Sequence, residues 1–203
     1  MPPPGAGKCA SPCRNRARPR VVQTGRAIRA APFFSKEPDM PPVQPVPKDM
    51  HTLTPHLICE GAAQALDFYV RAFGAVALAR LDGPGGRIMH AQLRIGDSTI
   101  MLADDWPDGG CPGPRALKGS PVFLHLYVPD VDAAMARAAA AGATVTMPVT
   151  DMFWGDRYGQ LTDPFGHRWS VATHQRDLTP DEIHAAAASS SCWEGAAERG
   201  RGT

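Results

Sequence analysis

The chain repeats itself, and this repeat limits the available folds more than any other feature. Residues 53–59 read as a short β-type run. Gly61 to Phe73 then places Leu66, Tyr69, Val70 and Phe73 at i, i+3, i+4 and i+7, an amphipathic helix closed by Gly74. Strand-like segments follow at 75–81, 87–95 and 98–104, separated by Gly83-Pro84-Gly85-Gly86 and Gly96-Asp97. The order β-α-β-β-β then returns. A strand spans 121–128, Asp130 caps an alanine-rich helix that runs to Ala141 and ends at Gly142, and strands follow near 143–149, 157–162 and 168–173. A slide of 69 residues lays His56 on His125, and a slide of 70 lays Gly96 on Gly166. Two copies are too few for a solenoid. The expectation is an α+β fold of two paired β-α-β-β-β units, 53–104 and 121–173, forming a concave sheet with helices outside. Asp67 and Arg71, four apart, are expected to pair on the outer helix face.

What flanks the repeat differs from it in composition. Residues 1–50 hold nine Lys/Arg, three acids and eleven of the 21 prolines. Proline removes amide donors and restricts its predecessor, so neither helix nor sheet propagates there, and the segment is expected to be disordered. Three origins are considered for it: a true extension, an organelle transit segment, or an upstream start, since Met40 and Met50 lie just before the ordered pattern. Cys9 and Cys13 form a C-x3-C pair too sparse for a metal site. Residues 177–203 are acidic, with Thr179-Pro180-Asp181-Glu182 marking one short helix through Ala188. The net charge of +1 is therefore a cancellation of +6 in the head, −2 in the middle and −3 in the tail. No apolar run approaches the roughly 18 residues of a membrane span. The middle has no basic stripe with interleaved aromatics, so neither a membrane nor a nucleic-acid partner is expected. Five scattered cysteines point to a reducing compartment, and the cytoplasm is the expected location.

The paired units, the helix text ALDFYVRAFGA and the segment GDRYGQLTDPFGHRW resemble the vicinal oxygen chelate superfamily of glyoxalases, bleomycin and fosfomycin resistance proteins and extradiol dioxygenases. HAQLRIGDSTIMLAD, FLHLYVPDVDAAMARAAAAGA and DPFGHRWSVATH resemble its PhnB-like branch. The resemblance covers residues 52–176, taken as one domain, and implies a homodimer. It also implies a divalent metal held by four inward side chains, two from each unit. The corresponding positions here are Thr54, Met101, Phe123 and Val171. None is a normal ligand for a hard or borderline divalent ion, so the usual quartet is expected to be missing.

Strand alternation supplies other candidates. His56 lies two residues beyond Thr54 and His125 two beyond Phe123, so each projects to the same face as the position it follows. His90 and Gln92 are expected to join them, with Met89, Ala91, Leu93 and Ile95 as the packed face of their strand. His56, His90 and His125 either hydrogen-bond within a polar pocket or hold zinc, nickel, manganese or iron with an open position. Asp104 is expected to be solvated. In 151–159, which joins two strands, Phe153, Trp154 and Tyr158 with Arg157 suit a planar or anionic ligand, because rings supply apolar area and a guanidinium a bidentate fork. Trp169 is assigned to the core, and the loop 105–120 to a flap bearing Trp106. Two functions follow: a metal-free small-molecule-binding protein contacting its ligand through His56, His90, Gln92, His125, Trp154 and Arg157, or a glyoxalase- or dioxygenase-like enzyme using a shifted histidine metal site.

Overall fold

The computed structural model describes residues 43–190. Residues 1–42, which include most of the proline-rich head, and the end of the chain from residue 191 lie outside the described residues. The first unit consists of β1 (His56–Cys59), α1 (Ala62–Phe73), β2 (Val76–Asp82), β3 (Ile88–Ile95) and β4 (Ser98–Asp104). The second consists of β5 (Phe123–Tyr127), α2 (Val131–Ala140), β6 (Thr144–Asp151), β7 (Asp156–Thr162) and β8 (Arg168–His174), and α3 (Pro180–Ser189) follows it. The strands make two four-stranded sheets of identical plan, β1-β4-β3-β2 and β5-β8-β7-β6, with the first and last strand of each unit parallel. This is the α+β class of two β-α-β-β-β units.

Local chemistry sets the helix ends. Gly74 takes a left-handed conformation (φ 66°) and its N–H returns to Tyr69 and Val70, which ends α1. Asp130 caps α2 by accepting from the N–H of Ala133 at 2.9 Å. The start of α1 is held from a distance, because Asp104 at the end of β4 accepts from the N–H groups of Gly61 (3.1 Å) and Ala62 (2.8 Å) through Oδ1 and from Ile88 (2.6 Å) through Oδ2. The carboxylate expected to be solvated thus fixes the entry of α1 and the first residue of β3. Thr179 and Glu182 exchange both bonds of a capping box at the start of α3.

Two other expectations change. Arg71 donates to the backbone carbonyl of Asp67 (3.3 Å) rather than pairing with its carboxylate. The register shifts between Leu81 and Asp82, so Ile88 enters the core (1% exposed) and Met89 is left outside (61%).

Each sheet has one face covered by a helix and one face open. The helices also pack on each other, α1 against α2, so they lie between the sheets, and both open faces are exposed in a single chain. Among the described residues the two open faces do not close on each other. The units are joined by the β7–β8 turn, whose Phe165 packs on Phe68 beneath α1. Asp163, 4% exposed, accepts from the Tyr69 hydroxyl (2.7 Å), Trp169 Nε1 (3.0 Å) and the N–H groups of Phe165 and His167. Four donors satisfy one buried carboxylate, which makes its burial tolerable. Trp169 is in the core.

Candidate functional site

Antiparallel and parallel registers put the outward side chains of each sheet into rows. On the second sheet, β5, β8 and β7 supply Phe123–Arg168–Thr162, then His125–Ser170–Gln160, then Tyr127–Ala172–Tyr158. On the first, β1, β4, β3 and β2 supply His56–Met101–Gln92–Ala79, beside a row that holds Ile58, Ala103, His90 and Leu81. The repeat is therefore visible in chemistry as well as topology, since a first-strand histidine shares its row with a third-strand glutamine in both sheets. It also settles which residue matches Met101. Val171 is wholly buried toward the helices, whereas Ser170 stands beside His125 as Met101 stands beside His56. A one-residue step in a strand reverses the face, and the fourth position is Ser170.

The open face of the second sheet is aromatic, and its polar atoms are fixed. The His125 ring lies edge-on to Tyr127 at 4.5 Å and nearly parallel to Tyr158 at 6.1 Å. Trp154, in the β6–β7 turn, meets Tyr158 edge to face at 5.6 Å. At one end of this face sits Asp156, 5% exposed, accepting from the Tyr127 hydroxyl and Trp154 Nε1 (both 3.1 Å) and paired with His174 Nδ1 at 2.7 Å. Ser170 Oγ lies 2.7 Å from His125 Nδ1, and Gln160 donates to the Tyr158 hydroxyl at 2.9 Å. Among the described residues His125 Nε2 has no hydrogen-bond partner and the Tyr158 hydroxyl has no acceptor for its own proton. Burial lowers the pKa of His125, opposed by the charge of Asp156, so its imidazole is neutral at pH 7.

The first sheet places His56 and His90 together, with ring centroids 5.9 Å apart, and His90 Nε2 lies 3.4 Å from the amide of Gln92. Burial and then the neighbouring His90 lower the pKa of His56. Around these rings the neighbours are Met101, Ile58, Ala103 and Leu81 rather than aromatics.

Of the six ligand candidates, the sheets bring together His56, His90 and Gln92 on one face and His125 and Trp154 on the other. Arg157 joins neither group. It points to the opposite side of β7 from Tyr158, where Asp132 takes its Nε and Nη2 (2.6 and 2.8 Å) and Asp151 its Nη1 (3.0 Å). Those bonds raise the Arg157 pKa further and lower that of Asp132. The sequence placed Arg157 in the segment joining two strands, whereas it lies on β7 with its side chain turned to the helix side. Among the described residues no three His, Cys, Asp or Glu side chains gather as a divalent ion would require, so the donors of one chain do not fit the implied metal centre. Tyr127, Gln160, Ser170 and Asp156 were not picked out as contacts. A 68-residue slide would have found Gln160, because it lays His90-x-Gln92 on Tyr158-x-Gln160.

Two clefts flank the junction of the units. The larger, about 660 Å³, lies between the β3–β4 turn and the β5 edge with His125 and Tyr127. Its counterpart, about 300 Å³, lies between β1 and His167 of the β7–β8 turn and is partly filled by Pro112, Pro114 and Leu117 of the inter-unit loop. There His167 Nε2 lies 3.1 Å from the carbonyl of Ile58 and 3.7 Å from Cys59 Sγ, and burial lowers the pKa of His167. Cys59 is no nucleophile, since burial and the nearby Asp163 push its thiol up to about 12. In the flap, Trp106 is exposed and bridges to Cys111 through backbone bonds.

A family model described as the Glyoxalase/Bleomycin resistance protein/Dioxygenase superfamily matches residues 50–171. An uncharacterized protein of Mycobacterium tuberculosis strain H37Rv, Rv0887c, is 51% identical over 140 residues, covering 68% of this chain and 82% of that one. The X-ray structure of the Arabidopsis thaliana At5g48480 product superimposes with a TM-score of 0.51 at 28% identity, over 61% of this chain and 98% of that one. Protein PA1353 of Pseudomonas aeruginosa gives 0.50 at 29% identity, again over 61% and 98%.

Proposed function

Since the chain belongs to the glyoxalase/bleomycin resistance protein/dioxygenase superfamily, we propose that it is a small-molecule-binding protein built on that fold, working without the usual metal quartet and related to its PhnB-like branch. The observation that carries this reading is the aromatic face of the second sheet. Tyr127, Tyr158, Trp154 and neutral His125 stand around one another, with the Tyr127 and Trp154 donors tied to a buried carboxylate. Such a wall offers ring faces, one outward hydroxyl and one outward imidazole nitrogen, which suit a planar organic molecule.

The binding unit is a homodimer. Tyr127 and Leu81 are 60% and 56% exposed in one chain, and apolar area of this kind on both open faces calls for cover. The first sheet of a second copy is the cover, its His56, His90 and Gln92 completing the pocket over the second sheet. Free thiols at Cys59 and Cys111 support a reducing location such as the cytoplasm. The competing reading, a glyoxalase- or dioxygenase-like enzyme, would need histidines from both faces around one ion.

Sedimentation equilibrium and metal analysis of untagged protein, with N-phenyl-1-naphthylamine as a fluorescent probe of the face, test these statements together. The expected result is a dimer that Leu81→Glu converts to folded monomer, probe binding at micromolar concentration, and no stoichiometric metal. A monomer would remove the shared pocket. Stoichiometric zinc, nickel, manganese or iron, lost in a His56→Ala/His125→Ala double variant, would replace the binding reading with the enzymatic one.

A further inference from the structure

We propose that Arg168, seated on Phe123, is an anion-binding corner of the aromatic face, and that the ligand carries a carboxylate, sulfonate or phosphate on a planar body. This rests on the small-molecule reading above and adds to it the ligand's charge and its direction on the sheet.

Most arginines of the two units already have partners. Arg80 pairs with Asp82, Arg87 with Asp105, Arg115 with Glu60, and Arg157 with both Asp132 and Asp151. Arg71 and Arg94 donate to backbone carbonyls. Arg168 has no ion-pair partner among the described residues, and its one specific contact is the Phe123 ring, with Cζ 3.8 Å from the ring centroid. A guanidinium laid on a ring is held in orientation, yet its N–H edges remain in the plane and available for a bidentate anion. Its row, Phe123–Arg168–Thr162, adjoins His125–Ser170–Gln160, so an anion at Arg168 also lies beside the hydroxyl of Thr162.

The face is polar in the electrostatic sense. Asp156 lies in register with His174, six residues along β8 from Arg168, a separation of about 20 Å at strand rise. One end of the face therefore carries an unpaired cation and the other a buried carboxylate, with the rings of His125, Tyr127 and Tyr158 between. A planar molecule lying along these rings is oriented with its anionic group toward Arg168. The guanidinium role that the sequence suggested for Arg157 falls to Arg168, because of the two only Arg168 faces the open side of the second sheet.

Two probes with the same ring system separate the charge from the rings: 8-anilinonaphthalene-1-sulfonate, which is anionic, and N-phenyl-1-naphthylamine, which is neutral. Fluorescence titrations of the full chain are expected to show both binding the wild type. Arg168→Gln should weaken the sulfonate about tenfold and leave the neutral probe within twofold, Arg168→Lys should fall between, and Arg157→Gln should match the wild type. If Arg168→Gln leaves the sulfonate affinity unchanged while the neutral probe still binds, the anion corner is wrong and the aromatic face stands. If neither probe binds the wild type, the small-molecule reading itself fails, and the anion corner with it. If Arg168→Gln weakens both probes equally, the residue shapes the face and does not read charge.

Discussion

The two four-stranded sheets share a strand order, a register and even a histidine-glutamine row, yet their open faces differ in kind. In the first sheet His56 stands beside Met101, and His90 beside Ile58 and Leu81, giving a face of aliphatic and sulfur side chains around two imidazoles. In the second, the matching positions hold Ser170, Tyr158 and Tyr127, and a buried carboxylate at one end of the face fixes the Tyr127 hydroxyl. A duplicated backbone thus supplies equivalent positions, and a few substitutions divide the work. On the binding reading proposed above, one face supplies the oriented donors and rings that recognise a molecule, and the other supplies the adaptable apolar surface that covers it. The clefts diverge likewise, at about 660 Å³ beside His125 and about 300 Å³ beside His56, where the inter-unit loop intrudes.

Asp163 offers the most severe way to break this comparison, because it belongs to the second unit yet satisfies Tyr69 of the first. Asp163→Ala leaves three buried donors and one half-buried donor without an acceptor, and at about 1–3 kcal/mol each for a lost partner, a loss of roughly 3 kcal/mol or more is expected in urea denaturation. A loss under about 1 kcal/mol would mean the units are joined by apolar packing alone.

Exchanging the matched fourth-strand residues is the sharper test of the division between faces. Ser170→Met should weaken N-phenyl-1-naphthylamine about tenfold by filling the space beside His125, whereas Met101→Ser should change it by less than about threefold, each tenfold being about 1.4 kcal/mol. Equal effects from both would erase the distinction. Tyr127→Phe removes the hydroxyl that the first sheet lacks at Ile58, and about 1 kcal/mol of stability should go with it.

The smallest effects are in pH dependence, and they have opposite signs. Asp177 and then Asp156 hold the His174 pKa above its ordinary value, so its contribution is complete below about pH 6.5 and fades as pH rises through the raised folded value. His167 is lowered by burial, so it penalises the fold as pH falls below about 6.5, where the unfolded chain takes up the proton that the fold refuses. Thermal melts between about pH 5.5 and 8.5 should show the Tm deficit of His174→Gln shrinking as pH rises. His167→Gln should instead flatten the acid-side decline.

The elements whose ends are set by neighbouring residues were legible in the sequence: α1 and its Gly74, α2 between Asp130 and Gly142, and the capping box of α3. What depended on strand phase or on distant partners was not. The bulge at Leu81–Asp82 exchanged Ile88 for Met89, a one-residue step separated Ser170 from Val171, and Arg157 turned to the helix side, where Asp132 and Asp151 wait. Asp104 reaches back 43 residues to the start of α1, a contact without local signature. The site residues were legible to the extent that they share alternation with His56 and His125. The aromatic character of the second face became readable only once its rows were aligned.

Ring-proton NMR of the protein titrated with N-phenyl-1-naphthylamine tests the central claim most directly, since it reports which face the molecule touches. The rings of Tyr127, Tyr158 and His125 should shift together and saturate at one affinity. Saturable binding that leaves those three rings unmoved would contradict the assignment of the second sheet's open face as the binding surface.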